Sequence, residues 1–244
     1  MRLSPMEPSA ARFPSTVSSF SSSWLHRCLP GLRRCLLAAG LLGVTIAPAF
    51  GQLSAPPGQG NTFRDTSMVK PPEGVKVAIY EFEDLECPAC ARAFPIVHAA
   101  IEKYHIPLVR HDFPLPMHQW SFEAAVTARY LQDKVSPKTA EDFRRDVFAA
   151  QTGIASKDDL QNYTRSWFQK HGLQMPFVID PTGLFNQEVK SDQTLGDRIG
   201  LKQTPTIFVV TTKGWIQIMD PTLLYQTIDT ALAETAGTSK TAHK

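Results

Sequence analysis

The sequence predicts an α/β fold that carries an inserted all-helical segment. Three observations lead to this prediction. A strand pattern, a helix pattern and a second strand pattern follow one another over residues 75–114, three helix patterns follow over residues 115–177, and strand patterns return within residues 178–236. The chain has 244 residues, of which 43% are hydrophobic and 20% charged, a composition typical of a globular protein with a buried core.

Residues 1–51 have the features of an export signal. Several arginines precede an apolar run over residues 35–46, which is short for a membrane span, and small residues follow it. Cleavage after Ala49 or Gly51 would leave the remaining chain in the periplasm or another extracytoplasmic compartment. The alternative is a retained membrane anchor formed by residues 35–50.

The net charge of the predicted exported part gives no indication of nucleic-acid binding. The formal net charge is +2, but five arginines and one glutamate lie within residues 1–51, so the remaining chain carries a net charge of −2. Without a basic excess, nucleic acid is not an expected partner. Residues 52–74 are rich in Pro, Gly and Ser without an apolar period and are predicted to form a flexible linker.

The cysteines favour redox chemistry. Cys28 and Cys35 belong to the export signal, so the exported chain keeps only Cys87 and Cys90. A secreted fold held by disulfides would need more pairs at longer spacings, and a tetrahedral zinc site would need two further ligands. No metal is therefore expected, although metal binding and an inert local disulfide remain alternatives to a redox pair.

The two cysteines follow a strand and open a helix. The strand is predicted over residues 75–82, and the helix begins at Pro88, since proline is tolerated best at a first helical position. Cys87 then lies at the helix mouth, where free N–H groups and the helix dipole favour a thiolate. Cys90 lies one turn inside the helix. We expect Cys87 to be the nucleophile and Cys90 the buried resolving thiol.

The remaining elements follow from apolar periodicity. The cysteine helix should bury Phe94, Val97, Ile101 and Tyr104 on one face and kink at Pro95. The later elements are a strand over residues 106–113, three core helices with stripes beginning at Phe122, Phe143 and Leu160, a helix over 182–200, strands over 205–210 and 215–219, a helix over 221–235 and a polar tail over 237–244.

Three motifs give the chain a family resemblance. They are EFEDLECPAC over residues 81–90, DFPLPMH over residues 112–118 and LGDRIGLKQTPT over residues 195–206. Together with the element order, they resemble the DsbA-like thiol:disulfide oxidoreductases of the thioredoxin-fold superfamily. The resemblance covers nearly all of the predicted ordered chain and implies a thioredoxin fold with an inserted helical domain.

The resemblance also implies roles for single residues. Thr204 and Pro205 match a cis-proline loop that faces the cysteines and binds substrate, and Glu81 matches a buried acid associated with proton transfer at the inner cysteine. Asp84 matches a family position but is expected to cap only a loop or helix, and His118 is expected to order its own loop. Ala89 stands where the best-known oxidases have histidine, which should make the disulfide less oxidising.

Three functions are compatible with these residues. The first is an exported oxidase of client proteins, acting without a cofactor through Cys87 and Cys90. Its partners would be reduced or unfolded client proteins and a membrane quinone-linked thiol oxidase that resets the cysteines, and it would be monomeric. The second is a reductase or isomerase of the same fold, reset by a membrane reductase. The third is a non-catalytic module that binds metal through the two thiols.

Overall fold

The computed structural model describes residues 63–236 of the chain. The predicted export signal, residues 52–62 of the predicted linker and the predicted polar tail lie outside these residues. Within residues 63–236, no helix is both long and apolar enough to cross a membrane.

The strands are β1 (Val77–Glu83), β2 (Leu108–Asp112), β3 (Thr206–Thr211) and β4 (Gly214–Ile218). The helices are α1 (Pro88–Tyr104), α2 (Ser121–Lys134), α3 (Pro137–Ala150), α4 (Lys157–Lys170), α5 (Leu184–Ile199) and α6 (Leu224–Ala236).

The four strands form one mixed sheet in the order β2-β1-β3-β4. β1 runs parallel to β2 and antiparallel to β3, and β4 pairs antiparallel with β3 at the edge. Helices α2 to α5 all lie between β2 and β3 in the chain. The prediction of an α/β fold with an inserted helical segment is therefore confirmed.

Both faces of the sheet are covered, which explains why β1 is apolar along most of its length. Val77 and Ile79 pack with α1 and α6, including Val97 and Ile228. The alternate residues Ala78 and Phe82 pack on the other side of the sheet with the end of α5 and the segment after it. A strand buried on both faces gains apolar contacts from every residue rather than from every second one.

The cysteine helix differs from the prediction in two details. α1 continues past Pro95, which is exposed, so the expected kink does not divide the helix. Phe94 and Val97 are buried, whereas Ile101 and Tyr104 are only partly buried at the edge of the core. Small residues complete the closely packed face of the helix: Cys90, Ala93 and Ala100.

Two of the inserted helices, α3 and α4, begin with a serine cap. Ser136 precedes α3, and its hydroxyl accepts a hydrogen bond from the Thr139 N–H at 3.0 Å. Ser156 precedes α4 and accepts from the Asp159 N–H at 3.1 Å, while its hydroxyl donates to the Asp159 carboxylate. Each serine oxygen thus satisfies a backbone N–H that the first helical turn leaves free.

Helix α2 is buried on two faces. The apolar stripe in the sequence predicted only one of them. Val126, from the predicted stripe, packs against Phe185 and Val189 of α5. Ala124, Ala128 and Leu131 face the other way, into the core shared with α3 and α4. The alanines gave no strong signal in the sequence because their small side chains are common on exposed helix faces as well.

A network of buried charges joins the insertion to the sheet. Arg144 of α3 is buried and donates to Glu83 at 2.6 Å and to both carboxylate oxygens of Asp112 at 2.6 and 3.1 Å. Arg129 of α2 also binds Asp112, at 2.5 Å, and it bridges to Asp192 of α5. Burial alone would raise the pKa of Asp112, but Arg144 and Arg129 hold it below its usual value. One carboxylate therefore connects a strand with two inserted helices.

This network makes a prediction about stability. Arg144→Ala should lower the free energy of unfolding by about 3–5 kcal/mol, because it removes the fully buried cation that Glu83 and Asp112 share. The adjacent Arg145 offers a matched control, since its side chain is more than half exposed and pairs with Asp142 and Asp146 on its own helix. Arg145→Ala should cost about 0–1 kcal/mol in urea unfolding. Equal losses in the two variants would contradict the role assigned to Arg144.

Candidate active site

The two cysteines lie where β1 passes into α1. Cys87 is the residue before the helix, in an extended conformation with φ −82° and ψ 118°, and Pro88 occupies the first turn as predicted. Both cysteines are free thiols. Cys87 is 7% exposed and Cys90 is 1% exposed, so Cys87 is the sulfur that is better placed to meet a reactant.

The surroundings of the two sulfurs separate their acidities. A hydrogen bond with Cys90 is the largest influence on the pKa of Cys87. Together with the Thr204 side chain and the backbone amides of Cys90 and Ala89, it outweighs burial and lowers the pKa of Cys87 to about 5. Burial, followed by the interactions with Cys87, raises the pKa of Cys90 well above the ordinary value. Negative charge is therefore favoured on Cys87 and disfavoured on Cys90, as expected for a thiol at a helix N-terminus beside one inside the helix.

The Thr204–Pro205 loop lies against the first cysteine, although 117 positions separate the two in the chain. The Cys87 thiol donates to the Thr204 carbonyl with a sulfur–oxygen distance of 3.3 Å. The Thr204–Pro205 peptide bond is cis. β3 begins at the next residue, Thr206, which pairs with Phe82 near the end of β1. Sheet register therefore brings this loop beside the cysteines.

Glu81 is a buried acid on the face of β1 that α1 covers. It is 1% exposed, and neither carboxylate oxygen has a hydrogen-bond partner among residues 63–236. Burial, reinforced by the neighbouring charge of Glu83, raises the pKa of Glu81 to about 8 against the opposing effect of Arg110 and Arg144. The side chain can therefore hold a proton near neutral pH.

Sequence reasoning missed Glu83 as a member of this group. Glu83 lies two residues after Glu81 on the same face of β1, and its charge contributes to the raised pKa of Cys90. It binds Arg144, as described above, and lies 3.2 Å from Arg110. The alternation of side chains along a strand was the available signal, because residues i and i+2 share a face.

A second group of contacts fixes the loop that precedes Cys87. The Glu86 carboxylate accepts from the N–H groups of Trp120 and Ser121, at 2.7 and 3.1 Å, and so caps the start of α2. The Gln151 side chain, after α3, donates to the carbonyls of Leu85 and Cys87 at 2.7 and 3.2 Å. The inserted helices thus bind the loop that carries the cysteines through backbone groups.

Asp84 does more than the capping expected from the sequence. Its buried carboxylate accepts from the backbone N–H groups of Glu86 and Leu115, and from the side chains of His118 and Ser121. His118 was expected only to order its own loop, but its Nδ1 lies 2.6 Å from Asp84 Oδ2. Among residues 63–236, no group of three or more histidine, cysteine or acidic side chains is arranged to hold a metal ion.

Comparisons with known proteins identify the fold. A family model described as thioredoxin matches residues 65–214. The chain is similar to the thiol-disulfide exchange protein alpha-DsbA2 from Wolbachia pipientis, with 17% identity, a TM-score of 0.52, and 66% of this chain and 84% of that chain covered. It is also similar to Wolbachia pipientis alpha-DsbA1, with 14% identity, a TM-score of 0.56 and coverages of 70% and 93%.

A third similar structure is that of Proteus mirabilis ScsC in a transitional conformation. The identity is 17% and the TM-score 0.51, and 67% of this chain and 71% of that chain are covered. No curated protein matches the chain. At these identities the likeness is one of fold, and it confirms the predicted resemblance to DsbA-like proteins with a thioredoxin fold.

The acidity of Cys87 can be tested directly. Its alkylation rate with iodoacetamide, followed by mass spectrometry of the modified peptide, should rise with pH and level off above a midpoint near pH 5, because only the thiolate reacts. Cys90→Ala removes the largest stabilising contact and should move the midpoint to higher pH. A midpoint above pH 8 in the wild-type protein, or no shift in the variant, would contradict the assigned contacts.

Proposed function

The chain belongs to the thioredoxin family, and on that premise we propose that it is an exported thiol:disulfide oxidoreductase that forms disulfide bonds in client proteins. The observation that carries the proposal is the placement of two free thiols one helical turn apart, with Cys87 at the helix mouth against the Thr204 carbonyl and Cys90 buried inside the helix. This placement favours a thiolate at Cys87 and a thiol at Cys90. A purely structural disulfide between Cys87 and Cys90 would not need this difference between the two sulfurs.

The proposed reaction starts from the Cys87–Cys90 disulfide. A client thiolate attacks the sulfur of Cys87, the Cys87–Cys90 bond breaks, and Cys90 leaves as a thiolate that takes up a proton. A second client thiolate then attacks the client sulfur of the mixed disulfide. A client disulfide forms, Cys87 leaves as a stabilised thiolate, and the two electrons of the client thiols remain on the cysteine pair.

Three further residues are assigned roles in this reaction. Glu81 is proposed to exchange the proton of Cys90, because burial keeps it protonatable near neutral pH. Thr204 and Pro205 are proposed to hold the client, since their loop lies against Cys87 and leads directly into β3. An extended client segment could pair with backbone groups there.

A reductase or isomerase, in which electrons flow in the opposite direction, is the second candidate function. Ala89 gives the helix mouth no imidazole, so the thiolate of Cys87 depends on backbone amides and on its neighbours Cys90 and Thr204. A less stabilised thiolate makes the disulfide less oxidising, and this favours a reductase or isomerase of the same fold. A non-catalytic metal-binding module is the other alternative; stoichiometric zinc binding by the reduced protein without exchange activity would support it.

The cellular setting is part of the proposal. Residues 1–51 are proposed to direct export to the periplasm, with residues 35–50 as a retained anchor in the alternative. A membrane quinone-linked thiol oxidase would reset the cysteines of an oxidase, and a membrane reductase would reset those of a reductase. The protein is proposed to act as a monomer on reduced or unfolded client proteins.

The assignment of the two cysteines predicts a trapping result. Cys90→Ser should accumulate mixed disulfides between Cys87 and client proteins, because the resolving thiol is gone while the reactive thiolate remains. Cys87→Ser is the matched control and should trap none under the same conditions. The complexes can be counted on non-reducing gels and assigned by mass spectrometry. Trapping by Cys87→Ser instead would reverse the roles.

The position of Ala89 predicts a redox result. Ala89→His should lower the pKa of Cys87 and raise the reduction potential by tens of millivolts, because one hydrogen bond to a charged group is worth about 1.5–3 kcal/mol and about 30 mV corresponds to 1.4 kcal/mol. Equilibration with glutathione measures the potential. A wild-type value near that of thioredoxin, about −270 mV, would exclude the oxidase and favour the reductase.

A further inference from the structure

The backbone of Asp84 contacts both cysteines. Its N–H donates to the sulfur of Cys90 at 3.4 Å, and its carbonyl accepts from the N–H of Cys87 at 3.0 Å. The orientation of the Asp84 backbone therefore determines whether its N–H points at the sulfur of Cys90. What holds Asp84 in place is its side chain, which is fully buried.

Three of the four donors to the Asp84 carboxylate come from the segment between β2 and the first residue of α2. Oδ2 accepts from the Leu115 N–H at 2.7 Å and from His118 Nδ1 at 2.6 Å, and Oδ1 accepts from the Ser121 hydroxyl. The fourth donor is the Glu86 N–H at 2.8 Å. Hydrogen bonds to a carboxylate are about twice as strong as those between neutral groups, so this set fixes the side chain firmly.

We propose that His118 is a positioning residue of the redox centre, which, through the Asp84 carboxylate, holds the Asp84 N–H against the sulfur of Cys90. The inference rests on the proposed function, because it concerns the step in which the Cys87–Cys90 bond forms or breaks. In the described part of the chain no hydrogen bond joins His118 to either cysteine, so the proposed effect runs through Asp84.

The chemistry explains why this N–H matters. When an external thiolate attacks Cys87, the Cys87–Cys90 bond breaks and its electron pair stays on the sulfur of Cys90. In the reverse direction, Cys90 must carry the same charge before it attacks Cys87. Burial disfavours that charge, whereas the Asp84 N–H stabilises it. A donor aimed in advance at the atom where charge develops lowers the barrier in both directions.

Loss of the His118 contact should slow the step in which Cys90 leaves. Oxidised protein is mixed with reduced glutathione, and the formation of the Cys87–glutathione mixed disulfide is followed by acid quenching and mass spectrometry. His118→Phe keeps a ring but has no donor, and its rate should fall roughly two- to tenfold, the range expected for one weakened hydrogen bond. His118→Asn places an N–H near the position of Nδ1 and should restore most of the rate.

The chain offers a matched control in His111. Its Nδ1 lies 2.7 Å from Asp192, and its side chain is 16% exposed, compared with 18% for His118. His111→Phe removes the same kind of contact at a site where the aspartate does not hydrogen-bond a cysteine in the described structure. Its rate with glutathione should equal that of the wild-type protein, even if its free energy of unfolding falls.

A second measurement does not depend on exchange. In a Cys87→Ser background, the pKa of Cys90, followed by thiolate absorbance, should be higher with His118→Phe than with His118 or with His118→Asn. If His118→Phe does not fold, Ser121→Ala removes another donor to Asp84 and should change the rate and the pKa of Cys90 in the same direction.

The outcomes separate the two proposals. Unchanged rates and an unchanged pKa of Cys90 in both His118→Phe and Ser121→Ala would overturn the positioning role, as would an equal loss of rate in His111→Phe. A wild-type protein that does not react with glutathione would overturn the proposed function instead, and the pKa of Cys90 would still decide the role of His118.

Discussion

The contact on which much of the structure depends is the buried ion pair between Arg144 and the carboxylates of Glu83 and Asp112. Glu83 is the last residue of β1, Asp112 is the last residue of β2, and Arg144 belongs to the inserted helix α3. This ion pair therefore holds the inserted helices against the sheet. Buried charges are costly unless each has a partner. Their presence therefore requires α3 to dock in one position, and that position places the insertion beside the redox loop.

The candidate site is assembled from segments far apart in the chain by the pairing of strands. The loop that follows β1 carries Cys87, and antiparallel pairing of β1 with β3 brings Thr204 to the same end of the sheet. The same strand carries Glu81 on the face beneath α1. A single strand thus sets the place of the reactive sulfur, the loop beside it and the buried acid, and the helix N-terminus supplies the amides that favour a thiolate.

The sequence predicted those parts of the site that depend on local order. Cys87, Cys90 and Pro88 are neighbours, so a strand followed by a helix pattern was enough to place them. Thr204 required a motif resemblance, because nothing in its own segment points to a cysteine. Arg144 could not be predicted at all: in the sequence it is one of two adjacent arginines on a polar helix, and only packing decides which of them is buried.

The hydrogen bonds made by Gln151 and Glu86 have a consequence for local unfolding of the protein. Gln151 follows α3, and Glu86 caps α2, so both tie the loop before Cys87 to the inserted helices. Local opening of a protein proceeds in cooperative units that share such contacts. We therefore expect the insertion and the redox loop to exchange amide hydrogens as one unit, so that a fluctuation that frees the inserted helices also exposes the backbone around the cysteines.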